Sequence, residues 1–186
     1  MTSSYEGHKF NGNADAAKLS HVPTHPDTLE VKFQSGNYNS YAVAKRAFSK
    51  GDVIGTFAAA TYTDTVRYSS VQVATNKHIE LNSDFLYLNH SCDPSVNFDV
   101  SSGTQPSEYV AIANKDIAEG DILTFCTLHS NTTVYPSTEW EMQQPFDCTC
   151  GAKQCLGRIR GAKFLTEEEL KPYFINGHIK HLKSVQ

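Results

Sequence analysis

Three cysteines packed into 146-FDCTCGAKQCLG-157 constrain this chain more than any other feature. Cys148, Cys150 and Cys155 form a C-x-C-x4-C array. Two thiols two positions apart on extended backbone point to one side, and a loop through Gly151 can return the third to the same place. That arrangement supplies three corners of a tetrahedral metal site, for which zinc, with sulfur at about 2.3 Å, is the natural occupant. The fourth donor has to come from Cys92, from Cys126, or from one of the eight histidines. Three buried or incidental thiols, or a local disulfide with one thiol to spare, are the other reading of the same residues. Five cysteines is an odd count that fits a closed disulfide framework poorly, so reduced thiols are expected.

The 186 residues are 39% hydrophobic, enough for one domain with a core of its own and at most a small appendage. Sixteen basic residues against twenty acidic ones give a formal net charge of -4, which excludes a domain-wide basic field and with it direct nucleic-acid binding. No stretch approaches the apolar length of a membrane span. The opening MTSSYEGHKFNGNADAAKLSHVP has neither a cationic start nor an apolar core of the secretory kind, so a cytoplasmic or nuclear setting is expected. Asn131-Thr132-Thr133 matches a glycosylation triplet and reads as a coincidence of a polar loop.

Residues 1–28 are polar and aperiodic and read as an N-terminal arm. Short runs of strand character follow. Leu29-Glu30-Val31-Lys32-Phe33 alternates, and Tyr41-Ala42-Val43-Ala44 leads through Ser49-Lys50-Gly51-Asp52 into Val53-Ile54-Gly55-Thr56-Phe57. The same pattern recurs when Tyr109-Val110-Ala111-Ile112-Ala113 leads through Ala118-Glu119-Gly120-Asp121 into Ile122-Leu123-Thr124-Phe125. Each unit predicts strand, tight turn, strand, and the weak helical periodicity elsewhere makes the domain mostly β. One short C-terminal helix is predicted from the capping box Thr166-Glu167-Glu168-Glu169 ahead of Leu170, bounded by Pro172.

In 85-FLYLNHSCDPSVNF-98 an apolar run that reads as a buried strand ends in Asn89, His90, Ser91 and Cys92. Taken alone, Asn89 and His90 suit a polar strand cap and a core histidine as well as a ligand site. Cys92 follows a segment held by the core, whereas Cys126 follows the alternating run 122–125 and can be a small core residue.

Three motifs together resemble a known family, the SET domain of most protein lysine methyltransferases with its cysteine-rich post-SET segment. Asn89-His90-Ser91-Cys92-Asp93-Pro94 is similar to the family's N-H-S-C-x-P, Ile117 to Phe125 is similar to I-x-x-G-E-E-L-T-F, and Cys148 to Gly157 is similar to the post-SET motif. They occur in the family's order over roughly residues 29–160. The resemblance implies a SET-domain fold of short twisted β-sheets with a pseudoknot over residues 29–135, a post-SET zinc loop over 136–160, and a C-terminal helical extension over 161–186. It implies a structural zinc on Cys92, Cys148, Cys150 and Cys155, leaving Cys126 as a structural fifth thiol. It also implies S-adenosylmethionine held by Asn39, Ser40, Tyr41, Tyr87, Asn89 and His90 and covered by Leu156, with Phe125 and Tyr87 lining a substrate channel.

The family's L-T-F-x-Y tyrosine is displaced here. Cys126 and Thr127 follow Phe125, and the next tyrosine is Tyr135, beyond 127-TLHSNTTV-134; Tyr135 is the residue expected to orient the reaction. The family's G-x-G loop is replaced by Asn39-Ser40-Tyr41, and Leu86 stands where an arginine is usual. The resulting expectation is protein-lysine N-methylation of a histone or non-histone substrate by a monomer. The other classes the sequence accommodates are a SET-like protein with lost or small-molecule activity and a zinc-stabilised interaction module.

Overall fold

Runs of β-branched and aromatic residues only three to five long, each cut by a Gly, Asp or Asn turn, favour short strands. A computed structural model describes residues 20–36, 39–67, 69–126, 138–141 and 145–186, and twelve short strands lie among them. The expected mostly-β architecture holds. Leu29–Lys32 (β1) and Tyr41–Ala44 (β2) form an antiparallel pair in which Leu29 faces Ala44. Val53–Thr56 (β3), Val96–Asp99 (β8) and Val110–Ala113 (β9) make an antiparallel sheet in the order β3-β9-β8. Thr61–Thr63 (β4), Ser70–Ala74 (β5) and Lys77–Glu80 (β6) make another, in the order β4-β6-β5. Two-residue strands complete the set. Asn89–His90 (β7) pairs parallel with Thr124–Phe125 (β10), and Phe146–Asp147 (β11) pairs antiparallel with Arg158–Ile159 (β12).

The two strand-turn-strand units do not close on themselves as hairpins. Phe48 and Ile117 exchange two backbone hydrogen bonds of 2.9 Å, the Ala44 amide donates to the Asp121 carbonyl at 2.9 Å, and the Ala113 amide donates to the Asp52 carbonyl at 2.9 Å. Ala44 and Ala113, Phe48 and Ile117, and Asp52 and Asp121 are equivalent positions of the two units, each pair 69 residues apart. The units therefore pair with each other across a local two-fold relation. Both turns are built alike: the Asp52 carboxylate accepts from the Ser49 amide and the Asp121 carboxylate from the Ala118 amide, each at 2.8 Å. Gly51 and Gly120 take φ of 95° and 87°, where a side chain would be strained. Identical turn chemistry marked the turns correctly, but local sequence carries no information on which strand each turn pairs with.

The run Phe85–Leu88 is also not a strand. Asp84–Tyr87 is a 3₁₀ turn, the chain becomes extended only at Leu88, and the paired strand begins at Asn89. Phe85, Tyr87 and Leu88 are all buried, so the run shows no alternation to separate the two forms.

Phe57, Phe85, Phe98 and Phe125 form the centre of the main core. Phe98 stacks on Phe125 with ring centroids 3.8 Å apart and meets Phe57 edge-on at 4.8 Å. Burying each such ring contributes about 1.5–3 kcal/mol, and this cluster fixes the inner ends of β8 and β10. In the C-terminal extension, Thr166 completes the expected capping box over Glu167–Leu170 (α1), which stops before Pro172. A second helix, Gly177–Ser184 (α2), follows. Ala162, Leu170 and Ile179 form a small core there with Trp140, and buried Asn176 ties the extension to the sheet by accepting from the Val100 amide and donating to the Phe98 carbonyl, each at 2.9 Å.

Candidate functional site

Pairing of β7 with β10 sets Asn89 against Thr124 and His90 against Phe125. The contact continues past the strands. The Ser91 amide donates to the Phe125 carbonyl at 2.8 Å, the Ser95 amide donates to the Thr124 carbonyl at 3.0 Å, and the Thr124 amide donates to the Ser95 hydroxyl at 2.8 Å. These bonds, with Phe125 locked on Phe98, hold Asn89 to Cys92 at the edge of the core.

Cys92 is fully buried where this segment meets the 148–157 loop. Its sulfur lies 3.8 Å from that of Cys148, which is the edge expected of a tetrahedron whose thiolates stand about 2.3 Å from zinc. Amides point at the sulfurs as they do toward bound thiolates: Cys92 N–H to Cys150 Sγ at 3.4 Å, Cys150 N–H to Cys148 Sγ at 3.4 Å, and Leu156 N–H to Cys92 Sγ at 3.5 Å. Gly151, at φ 71°, turns the chain directly after Cys150 and brings Cys155 back toward the group. Cys155 directs its thiol at the Cys148 carbonyl, 3.7 Å away.

Four donor atoms lie within 4.8 Å of one another and could hold one metal ion: His90, Cys92, Cys148 and Cys150. His90 Nε2 is 3.3 Å from Cys92 Sγ. Sequence reasoning assigned His90 to the cofactor only; the signal that could have found it is its position two residues before Cys92, on the same side of an extended chain. Cys126 is buried and stands outside these four donors.

The thiols respond to this setting in different directions. Burial pushes Cys92 and Cys126 well above the usual thiol range and Cys148 up to about 11. Burial also raises Cys150, but the amides of Cys92 and Ala152 and the neighbouring thiols outweigh it and bring it down to about 7. Buried sulfurs resist charge without a cation, and a dication would reverse that preference.

The remaining expected positions fall in three groups. Asn39 donates to the Ser35 carbonyl at 2.8 Å and the Ser40 hydroxyl accepts from the Gln34 amide at 3.2 Å, so both side chains close the β1–β2 connection. Tyr41 instead lines a cavity of about 570 Å³ shared with His21, Phe33, Lys45 and Asp84. Tyr87 is buried with its ring edge-on to Phe33, while Asn89, His90 and Leu156 are half-buried around the cysteine group. Phe125 is completely buried; it can back a channel but not face one. Tyr135 lies outside the described residues.

No family model matches the chain. Methyltransferase flvH of Aspergillus flavus is 38% identical to it over 160 residues, 86% of this chain and 83% of the relative. The chain belongs to this methyltransferase family. A match of that length leaves at most 26 of the 186 residues outside it, so Asn89 to Cys92, β10 and the cysteine array of this methyltransferase all fall within the shared region. No helix among its described residues is long and apolar enough to cross a membrane.

Proposed function

We propose that this methyltransferase is of the SET type, uses S-adenosylmethionine, and methylates the side-chain amine of a protein lysine. The observation that carries the proposal is the parallel pairing of Asn89–His90 with Thr124–Phe125 directly beside the Cys92 sulfur group. That juxtaposition of the N-H-S-C and L-T-F motifs with the cysteine loop is what the family resemblance calls for. The pseudoknot threading and the domain limits 29–135 and 136–160 form part of the proposal.

The residues fit the two groups such an enzyme needs. Cys92, Cys148, Cys150 and Cys155 would supply the thiolates of a structural zinc, which would tie the 148–157 loop to β7. Half-buried Asn89 and Leu156 and buried Tyr87 offer one polar and two apolar walls, suited to the amino-acid and adenine ends of the cofactor. When bound, the cofactor supplies an electrophilic methyl on a sulfonium.

The chain's own task is alignment and dehydration. An in-line displacement needs the amine neutral and held on the methyl axis. A lysine of pKa about 10.4 costs roughly 3 kcal/mol to neutralise near pH 8, and burial in an apolar channel next to a positive charge supplies much of that. No strong base is required. Tyr135 is proposed as the hydroxyl that orients the amine, and Phe125 backs the channel from inside the core.

The deciding experiment incubates the purified chain with methyl-labelled S-adenosylmethionine and a proteome extract, followed by mass spectrometry of products. Label on lysine Nζ supports the proposal. Label confined to small amines would point to the small-molecule reading, and absence of both binding and transfer would remove the cofactor assignment.

A further inference from the structure

We infer that the Tyr173 hydroxyl is an outer partner of the metal-bound thiolates, donating a hydrogen bond to their sulfurs, so that metal loading locks the C-terminal extension onto the cysteine group. The inference rests on the metal-binding reading above, with Cys92, Cys148, Cys150 and Cys155 as the ligands. It adds a positioning side chain that touches the sulfurs and not the ion.

Tyr173 sits between two fixed points of the extension. Its amide donates to the Leu170 carbonyl at 3.0 Å, and Leu170 is buried in the small C-terminal core. Three residues further on, Asn176 is bonded to the backbone of Phe98 and Val100 at the end of β8.

The hydroxyl itself is buried, and no described residue forms a hydrogen bond with it. Tyr173 also lines an open cleft of about 520 Å³ with Leu170, Phe174 and Ile175, so water is close by, yet the hydroxyl is sealed away from it. A buried phenol without a partner is costly, and native folds leave few of them. The groups within electrostatic reach of it are sulfurs: those of Cys126, Cys92, Cys150 and Cys155.

Only the metal ligands among them become strong acceptors. Cys126 is buried and outside the ligand set, and burial keeps a thiol neutral. A bound dication takes the proton from its cysteines, and a hydrogen bond to an ionised acceptor is roughly twice as strong as one to a neutral acceptor. Four thiolates around a dication carry a net double negative charge, so each neutral donor aimed at them lowers the cost of burying the group. The amides of Cys92, Cys150 and Leu156 already point at its sulfurs; Tyr173 brings a donor from a separate part of the chain.

The consequence is a three-way joint. Cys92 ties the metal to the end of β7, the 148–157 loop supplies the other ligands, and Tyr173 would hold α1 and its following turn against both. Anything that binds the folded form alone stabilises it, so the extension would gain stability from the metal without contributing a ligand.

The test uses the full chain and needs no activity. Tyr173→Phe keeps the ring and removes only the hydroxyl, and competition with a chromophoric chelator is expected to show zinc held about 10–100-fold more weakly. With Co²⁺ in place of zinc, the sulfur-to-metal charge-transfer band should move to lower energy in the variant, because a thiolate stripped of its hydrogen bond gives up an electron more easily. That band decides: an unmoved band overturns the inference whatever the affinity, assigns Tyr173 to packing, and leaves the metal reading intact. Failure of the unmodified chain to bind either metal would remove both readings. Should Tyr173→Phe not fold, hydrogen exchange in the unmodified chain takes its place: zinc loading is expected to slow exchange across 167–173, and unaltered exchange there overturns the inference.

Discussion

Thr24 and Asp84 exchange two hydrogen bonds across sixty residues of chain: the Thr24 amide donates to the Asp84 carboxylate at 2.8 Å, and the Asp84 amide donates to the Thr24 hydroxyl at 2.8 Å. The same carboxylate accepts from the His25 amide at 2.9 Å and lies 3.0 Å from His21 Nε2, with Asp84 almost wholly buried. The segment read from sequence as an arm is thus docked, from His21 onward, on the turn that precedes β7. Hydrogen bonds to a charged group contribute about 1.5–3 kcal/mol each, so Asp84→Ala is expected to cost about 3 kcal/mol. Urea unfolding should show a lower midpoint at unchanged slope; an unmoved midpoint would mean the carboxylate holds nothing.

Chelation should expose the thiols in a defined order. Half-exposed Cys148, Cys150 and Cys155 lie on the loop, Cys92 is sealed beneath it, and Cys126 is buried in its own right. In zinc-loaded protein a thiol reagent is expected to react slowly. After chelation the three loop cysteines should react first, with Cys126 protected until the fold is lost. Immediate reaction of the loop cysteines in the loaded protein would contradict metal binding.

Acid should weaken the joint between the C-terminal helix and the 138–141 segment. Burial pushes the His178 imidazole below its usual range, the hydrogen bond to the Thr138 carbonyl offsets part of this, and nearby His78 adds to the depression. Because the folded state binds this proton less readily than the unfolded chain, stability is full above the unfolded value of about 6.5 and is lost as pH falls toward the depressed folded value. Tm measured between pH 7 and pH 5 should therefore decline, and the decline should be shallower in His178→Gln. Equal slopes for the two proteins would assign the loss to another group.

Tyr135→Phe is expected to lower methyl transfer about 100-fold, the order of loss that misalignment of a reacting group brings, with Tm and cofactor affinity unchanged. An unaltered rate would remove Tyr135 from the reaction and leave the orienting hydroxyl to be found elsewhere.

Much of this arrangement was legible in the residues because it is local. The Asp-capped glycine turns at 49–52 and 118–121, the capping box at Thr166 and the C-x-C-x4-C loop each depend on neighbours within a few positions. Pairing was not legible. Nothing within Tyr41–Phe57 says that its turn meets Ala113, and nothing within Phe85–Leu88 says that an apolar run will coil once the Asp84 carboxylate is held by Thr24. His90 was half-legible: its chemistry and spacing were plain, but whether its ring turns to a cofactor or to sulfur depends on where Cys148 arrives from 58 residues away.

The parallel contact of Asn89 with Thr124 costs much chain entropy for the little ladder it forms. It closes a loop of 35 residues for two residues of ladder, and Cys92 to Cys148 closes one of 56, whereas Ala74 meets Lys77 across a tight turn. Closure cost rises by about 0.6 kcal/mol with each doubling of loop length, and strands of two residues have no stability of their own. The region proposed to bind the cofactor is therefore sustained by its surroundings, and any lesion that loosens the aromatic core will register first as disorder between β7 and β10.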